Sequence, residues 1–402
     1  MVTAAVGYNE SPLDVARVNF EASAGRVLAE ADLRLLLSAC SRDVRFELPV
    51  RMDSRELRLF HGFRTQHNSG RGPHLGALRF SPGISSGLMF ALAQTLTWKA
   101  ALAEVHFSGS MGGVICDPAE LSIAEMERIT RAYVARLQPL LGPFQDVLQP
   151  EAGASPQIAG WIQHAYAAHL HPIPGANRDE SEPVALACVV GKDLDSGGIA
   201  DREQVMARGV QALLRQIAAE RGKTPGELRV ALHGSNGAGR ALATAVRELG
   251  CRWAELCESR QMEIAAPEAV LQAAADVLIL AGSECAVHSG NVTKIVAPVI
   301  IEAADLSVTQ VADMVLAQKG AVVIPSLVAG AGVVIAAHLE WDANLRQVSV
   351  NGEDAGREVE ARVLKAYDAV RGRAAERSQT LRAAAYDVAL ERAAAVERLR
   401  KP

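Results

Sequence analysis

No run of this 402-residue chain is apolar for long enough to span a bilayer; stretches such as Val333 to Ala337 fall far short of the ~20 residues a membrane helix needs. The opening MVTAAVGYNESPLDV also lacks a basic segment followed by a long apolar one, so no secretory leader is expected and a cytoplasmic location is. Basic residues are scattered rather than clustered, and the formal net charge is −5. That leaves no broad positive face with which to grip nucleic acid. Cysteine is sparse, at Cys40, Cys116, Cys188, Cys251, Cys257 and Cys285, with no C-x-x-C pair. Cys285-x-x-His288 is only half of a zinc motif, so buried free thiols and no metal are expected.

What is present is the balance of a globular protein: 49% apolar and 22% charged residues. A chain of this length is too large for one hydrophobic core and suits two domains with a cleft between them. The segment HPIPGANRDESEP, residues 171–183, has the composition of a connection. The expected division is therefore a first domain over 1–180, a second over 181–345 and a helical segment over 346–402 that packs back on the first.

The second region alternates helix and strand. Val210, Leu213, Leu214 and Ile217 recur at helical spacing, and Leu228 to Leu232 is a β-prone run ending at His233-Gly234. A helix carrying Leu242, Val246 and Leu249 follows, then strand patterns in CRWAELC and ADVLILA. Ile295 to Ile301 and Ala321 to Ile324 extend the series, separated by a helical segment with Val308, Val311 and Val315 on one face. Such alternation predicts a doubly wound parallel sheet of the Rossmann-like, dinucleotide-type class. The first 150 residues mix a helical stretch, Leu28 to Leu37, with strands at Val44 to Val50 and Leu57 to Thr65, an α+β pattern. From Arg357 to Leu399 only helical spacing remains.

Motifs then occur in a particular order: FHGFRTQHNSGRGPHLGALRF, LTWKAAL and GSMGGVICDP, followed by PEAGASPQIAGW, GGIADREQVMARGV, HGSNGAG and AGAGVVIAAHLEW. Together they resemble the glutamate/leucine/phenylalanine/valine dehydrogenase family over roughly residues 25 to 345. The resemblance implies a mixed-sheet substrate domain, a dinucleotide domain, oxidative deamination of an amino acid with NAD, and a hexamer built through the substrate domain.

Residue by residue, the resemblance is uneven. Lys99, in TWK, matches the family's anchor for the substrate α-carboxylate; the alternative is that it pairs with an acidic residue of its own chain. Leu75 stands where glutamate-specific members carry a substrate-binding lysine, and Ala337 where they carry a serine, so both imply an apolar ligand side chain. Met111 occupies the position of the catalytic lysine, and a thioether can neither activate water nor hold developing charge. Loss of a positioned acid–base group costs about 10²- to 10⁴-fold in rate. Glu151 aligns with the catalytic aspartate, one methylene longer; it is either a surviving proton shuttle or an ordinary polar residue of the cleft.

On the cofactor side the turn Gly234-Ser235-Asn236-Gly237-Ala238-Gly239 keeps the first and third glycines of G-x-G-x-x-G but replaces the middle one with Asn236, which obstructs a pyrophosphate. Glu258 suits a ribose hydroxyl and so favours NAD over a 2′-phosphorylated cofactor. Met206 replaces the family's threonine near the nicotinamide, and Ala303-Ala304-Asp305 replaces its G-A-N segment. NAD binding is therefore possible but doubtful. His74, His106, His233 and His338 stand at or beside family site positions and could build a new acid–base or metal site only if they converge.

The expectation is a catalytically weak or silent member, a regulatory or ligand-sensing subunit for an amino acid or keto acid with an apolar side chain, in a homo- or hetero-oligomer with a catalytic paralogue. The alternative is an active NAD-dependent oxidoreductase with altered substrate, using Glu151 or a histidine for proton transfer.

Overall fold

The computed structural model describes residues 10–151, 154–169, 184–234, 237–256 and 267–400. Among them, strands form two five-stranded sheets. The first contains β1 (Arg42–Arg51), β2 (Leu57–Gln66), β3 (His74–Phe80), β4 (Ser108–Val114) and β5 (Asp146–Pro150), in the order β1-β2-β4-β3-β5. The β1–β2 and β2–β4 pairs are antiparallel, whereas β3 runs parallel to both β4 and β5, so the sheet is mixed. The second contains β6 (Arg229–His233), β7 (Arg252–Leu256), β8 (Val277–Leu280), β9 (Val299–Glu302) and β10 (Val322–Ile324), ordered β10-β9-β8-β6-β7 and parallel throughout. Strand order reverses between β6 and β8, and in such sheets ligands enter the crevice at the carboxyl ends of the strands at that point.

The fold class read from the sequence is the one observed. The finer readings shift in two places. The stretch Leu28 to Leu37 is not one helix: a helix Pro12–Val27 ends at Leu28, which turns into an extended conformation and is buried, and a second helix runs Ala31–Ser38. The apolar run Ile295 to Ile301 becomes a strand only from Val299, its first residues forming a loop after the short helix Val292–Lys294.

The helix Ser86–Leu102 lies across the first sheet. Ser85 caps it by accepting a hydrogen bond from the Leu88 N–H, and nearly every side chain from Met89 to Leu102 is buried. That environment takes Lys99 out of water. Beyond the second sheet, the helix Gly352–Arg377 packs on the helix Arg202–Glu220, and the helix Leu381–Arg400 packs on Pro12–Val27 and Ser86–Leu102. Buried charges hold the last of these: Arg382 reaches Glu302 at 2.8 Å and Asp313 at 3.0 Å, and Asp387 receives Ser23 Oγ at 2.6 Å and Arg26 Nη2 at 2.7 Å. No helix of the described residues is long and apolar enough to cross a membrane.

Candidate functional site

A cavity of about 170 Å³ lies between the carboxyl ends of β8 and β9 and the first sheet with its covering helix. Leu75 on β3, Lys99 on the helix Ser86–Leu102, Met111 on β4, Glu151 just after β5 and Asp305 in the loop after β9 all line it. Five residues singled out from distant parts of the sequence thus share one wall-to-wall space. Leu92, Leu96 and Val333 complete an apolar lining around them.

Lys99 is 2% exposed, and its ammonium donates to Asp305 Oδ2 at 2.8 Å and lies 2.7 Å from Oδ1. The acidic partner weighed as an alternative is therefore the observed one, and it comes from the opposite wall. Asp305, assigned from the sequence to the cofactor side, instead faces Lys99 because the turn Ala303-Ala304 is tied to the end of β8, both N–H groups donating to the Leu280 carbonyl at 2.9 and 2.8 Å. Gly330 leaves room for the ammonium: a Cβ there would stand 2.8 Å from Lys99 Nζ.

A second bridge runs beside the first. Arg79, on β3, donates through Nε to Glu151 at 2.7 Å and through Nη1 to Glu284 at 2.8 Å. Glu151 belongs to the first wall and Glu284 to the loop after β8, so Arg79 also spans the cleft. Burial pushes the Glu151 carboxyl above the usual carboxylate range, with Arg79 opposing that rise. Sequence reasoning passed over Arg79 and Glu284. They sit in GALRF and LILAGSE as single charged residues that no spacing or motif marks out.

Other expected residues lie apart. Ala337 is fully buried within the helix Gly332–Leu345 and does not line the cavity; Val333, one turn earlier, does. Met206 is also buried in its helix, its backbone carbonyl against Gly332, where a Cβ would come within 2.5 Å. Neither residue reaches the cavity, because close helix packing consumes both. The four histidines do not gather. His106 and His338 have ring centroids 6.3 Å apart at a separate pocket, His74 contacts the Gln145 carbonyl, and His233 packs over Gly282. Burial pushes the His338 imidazole down to about 4. Among the described residues no group of three or more His, Cys, Asp or Glu side chains could hold a metal ion.

At the β6–β8 reversal, Gly234 adopts φ +133° and its backbone lies against Ala281, where a Cβ would come within 2.5 Å. The helix Gly237–Glu248 starts immediately beyond, and Gly239 is buried within it. Gly234 and the helix Gly237–Glu248 stand at the point where a parallel sheet of this kind opens its crevice, and the Lys99–Asp305 pair and the Met111 thioether line the adjoining cavity. Asn236 and Glu258 lie outside the described residues.

Comparison with known proteins agrees with this architecture. Residues 41–168 match the family model described as Glu/Leu/Phe/Val dehydrogenase, dimerisation domain, and residues 252–400 match glutamate/leucine/phenylalanine/valine dehydrogenase. The glutamate dehydrogenase of Thermotoga maritima is 28% identical, over 96% of this chain and 97% of its own. The solved hetero-hexameric glutamate dehydrogenase of Thermus thermophilus, in a leucine-bound form, is 31% identical with a TM-score of 0.89, covering 98% of each chain. The glutamate dehydrogenase of Peptoniphilus asaccharolyticus is 25% identical with a TM-score of 0.80, covering 97% of this chain and 99% of its own.

Proposed function

Because the chain belongs to the Glu/Leu/Phe/Val dehydrogenase family, we propose that it is a member with little or no dehydrogenase turnover, which serves as a ligand-sensing subunit for amino or keto acids with apolar side chains. The observation that carries this reading is the content of the cavity. A methionine stands where the family resemblance places an acid–base lysine, and the carboxylate anchor Lys99 is already paired with Asp305. Neither arrangement favours hydride chemistry at this spot, and the Rossmann-like crevice would hold NAD weakly or not at all.

The pocket supports a ligand nonetheless. Leu75, Leu92, Leu96, Met111 and Val333 give the cavity that holds Lys99 its apolar surface, so an aliphatic side chain would replace water there while a distal carboxylate would find no partner at Leu75. A ligand carboxylate would reach Lys99 by exchange with Asp305. The Thermus thermophilus neighbour is a hetero-hexamer solved with leucine, which favours assembly of this chain with a catalytic relative, although a homo-hexamer has the same family precedent.

Calorimetry with leucine, glutamate and NAD, beside an assay of NADH formation, tests the reading. Leucine is expected to bind, glutamate to bind at least about tenfold more weakly, and turnover to be about 10²-fold or more below that of ordinary members. Leu75→Lys should weaken leucine binding and shift preference towards glutamate. NADH formation by the unmodified chain at an ordinary rate would overturn the proposal and assign the proton transfer to Glu151. Met111→Lys with Asn236→Gly should raise cofactor affinity or turnover.

A further inference from the structure

The cavity wall carries more negative than positive groups. Asp305, Glu151 and Glu284 face Lys99 and Arg79, and each cation is already engaged. A keto acid that displaced Asp305 from Lys99 would bring one negative charge and release another, leaving the Asp305 carboxylate, only 22% exposed, without a cation. An amino acid brings both signs. Its carboxylate could take the Lys99 ammonium while its own ammonium took the freed Asp305 carboxylate, so that one ion pair becomes two with no charge left over.

Deepening the proposed function, on which it rests, we infer that Asp305 is a specificity-determining residue that makes this cavity select the zwitterionic amino acid over the corresponding keto acid. The geometry favours the exchange. The Lys99–Asp305 pair joins opposite walls, so a small separation of the walls opens a gap between an ammonium and a carboxylate, complementary to the two charged groups of an α-amino acid. Asp305 Oδ1 lies 2.7 Å from Lys99 Nζ yet accepts no well-directed hydrogen bond among the described residues, so this oxygen has capacity for a further donor. Protonation of Glu151, which its burial favours, would not rescue the keto acid, because Asp305 would still lose its cation. A carboxylate left without its cation in such a site carries a penalty that the zwitterion avoids, because both of its charges find partners to offset their desolvation.

Calorimetry of the full chain with leucine and with 4-methyl-2-oxopentanoate provides the test. Leucine should bind at least about tenfold tighter. Asp305→Asn should close most of that gap by strengthening the keto acid and weakening leucine, while Asp305→Glu, which retains the charge, should preserve the preference and guard against a mere folding defect. Equal affinities in the unmodified chain, or an undiminished gap in Asp305→Asn, would overturn the inference while leaving the ligand-sensing role intact. If neither compound binds, or if Leu75→Lys alters neither, the cleft is not the ligand site and the proposed function falls with the inference.

Discussion

Two clusters of charge lie close together in this protein and behave as opposites. In the first sheet, Arg64 and Asp146 are both fully buried and completely surrounded. Asp146 also accepts from Gln66 Nε2 at 2.7 Å and Ser110 Oγ at 2.8 Å, while Arg64 donates to the Ala77 carbonyl at 3.0 Å. All of these groups belong to one wall. In the cleft, Lys99 and Arg79 find their carboxylates partly on the opposite wall. A pair closed within one sheet stabilises that sheet; a pair shared between walls can be exchanged for a ligand without dismantling either. The difference lies in topology, since the residue types are the same.

Removing one partner from the closed cluster should have the largest effect. Asp146→Ala leaves a buried guanidinium uncompensated and should destabilise the fold by about 3–5 kcal/mol, read from urea unfolding. Asp305→Asn should cost about 1–2 kcal/mol in the same experiment, because the cleft can open and hydrate Lys99. Equal losses would erase the distinction between the clusters.

Acid sharpens it further. His67 is fully buried beside Thr97 Oγ1 at 3.0 Å and the Leu37 carbonyl at 3.1 Å, and burial pushes its imidazole from 6.5 down to about 3. With the folded value depressed, the unfolded chain binds the proton more readily. The contribution of neutral His67 is thus fully present above pH 6.5 and is lost as pH falls from 6.5 towards 3. The loss should amount to a few kcal/mol, on the order expected for a buried imidazole. His67→Gln should flatten the slope of stability against pH in that window. The smallest effect should come from a pair outside both clusters: Asp342→Ala breaks the exposed i, i+4 contact with Arg346 and should change stability by less than about 0.5 kcal/mol.

The sequence made the scaffold legible because periodicity is a local signal. The parallel sheet could be read from apolar runs alternating with helical spacing, and the family from the order of its motifs. The candidate site was half legible. Leu75, Lys99, Met111 and Glu151 were identifiable as positions, and they do meet. Which charge would satisfy Lys99 was not, since Asp305 lies 206 residues away and depends on how the turn after β9 is anchored to β8. Ala337 and Met206 lie apart from the cavity for a related reason. A position on a helix can be aligned without knowing which face the neighbouring backbone covers, and here close packing against Gly332 and within the core takes both away from the cavity.

The helix Leu381–Arg400 bears on how the chain is assembled during synthesis. It supplies Asp387 to Ser23 and Arg26, Arg382 to Glu302, and Glu397 to Asn68, partners that leave the ribosome long before it does. Asn68 and the Ser23 hydroxyl wait more than 300 residues for their acceptors. Translation at ~5–20 residues per second makes that an interval of tens of seconds, in which the first sheet and its helices stand with apolar and polar surface uncovered. The first half thus depends on the far end of the chain to cover it and to satisfy its last buried polar groups.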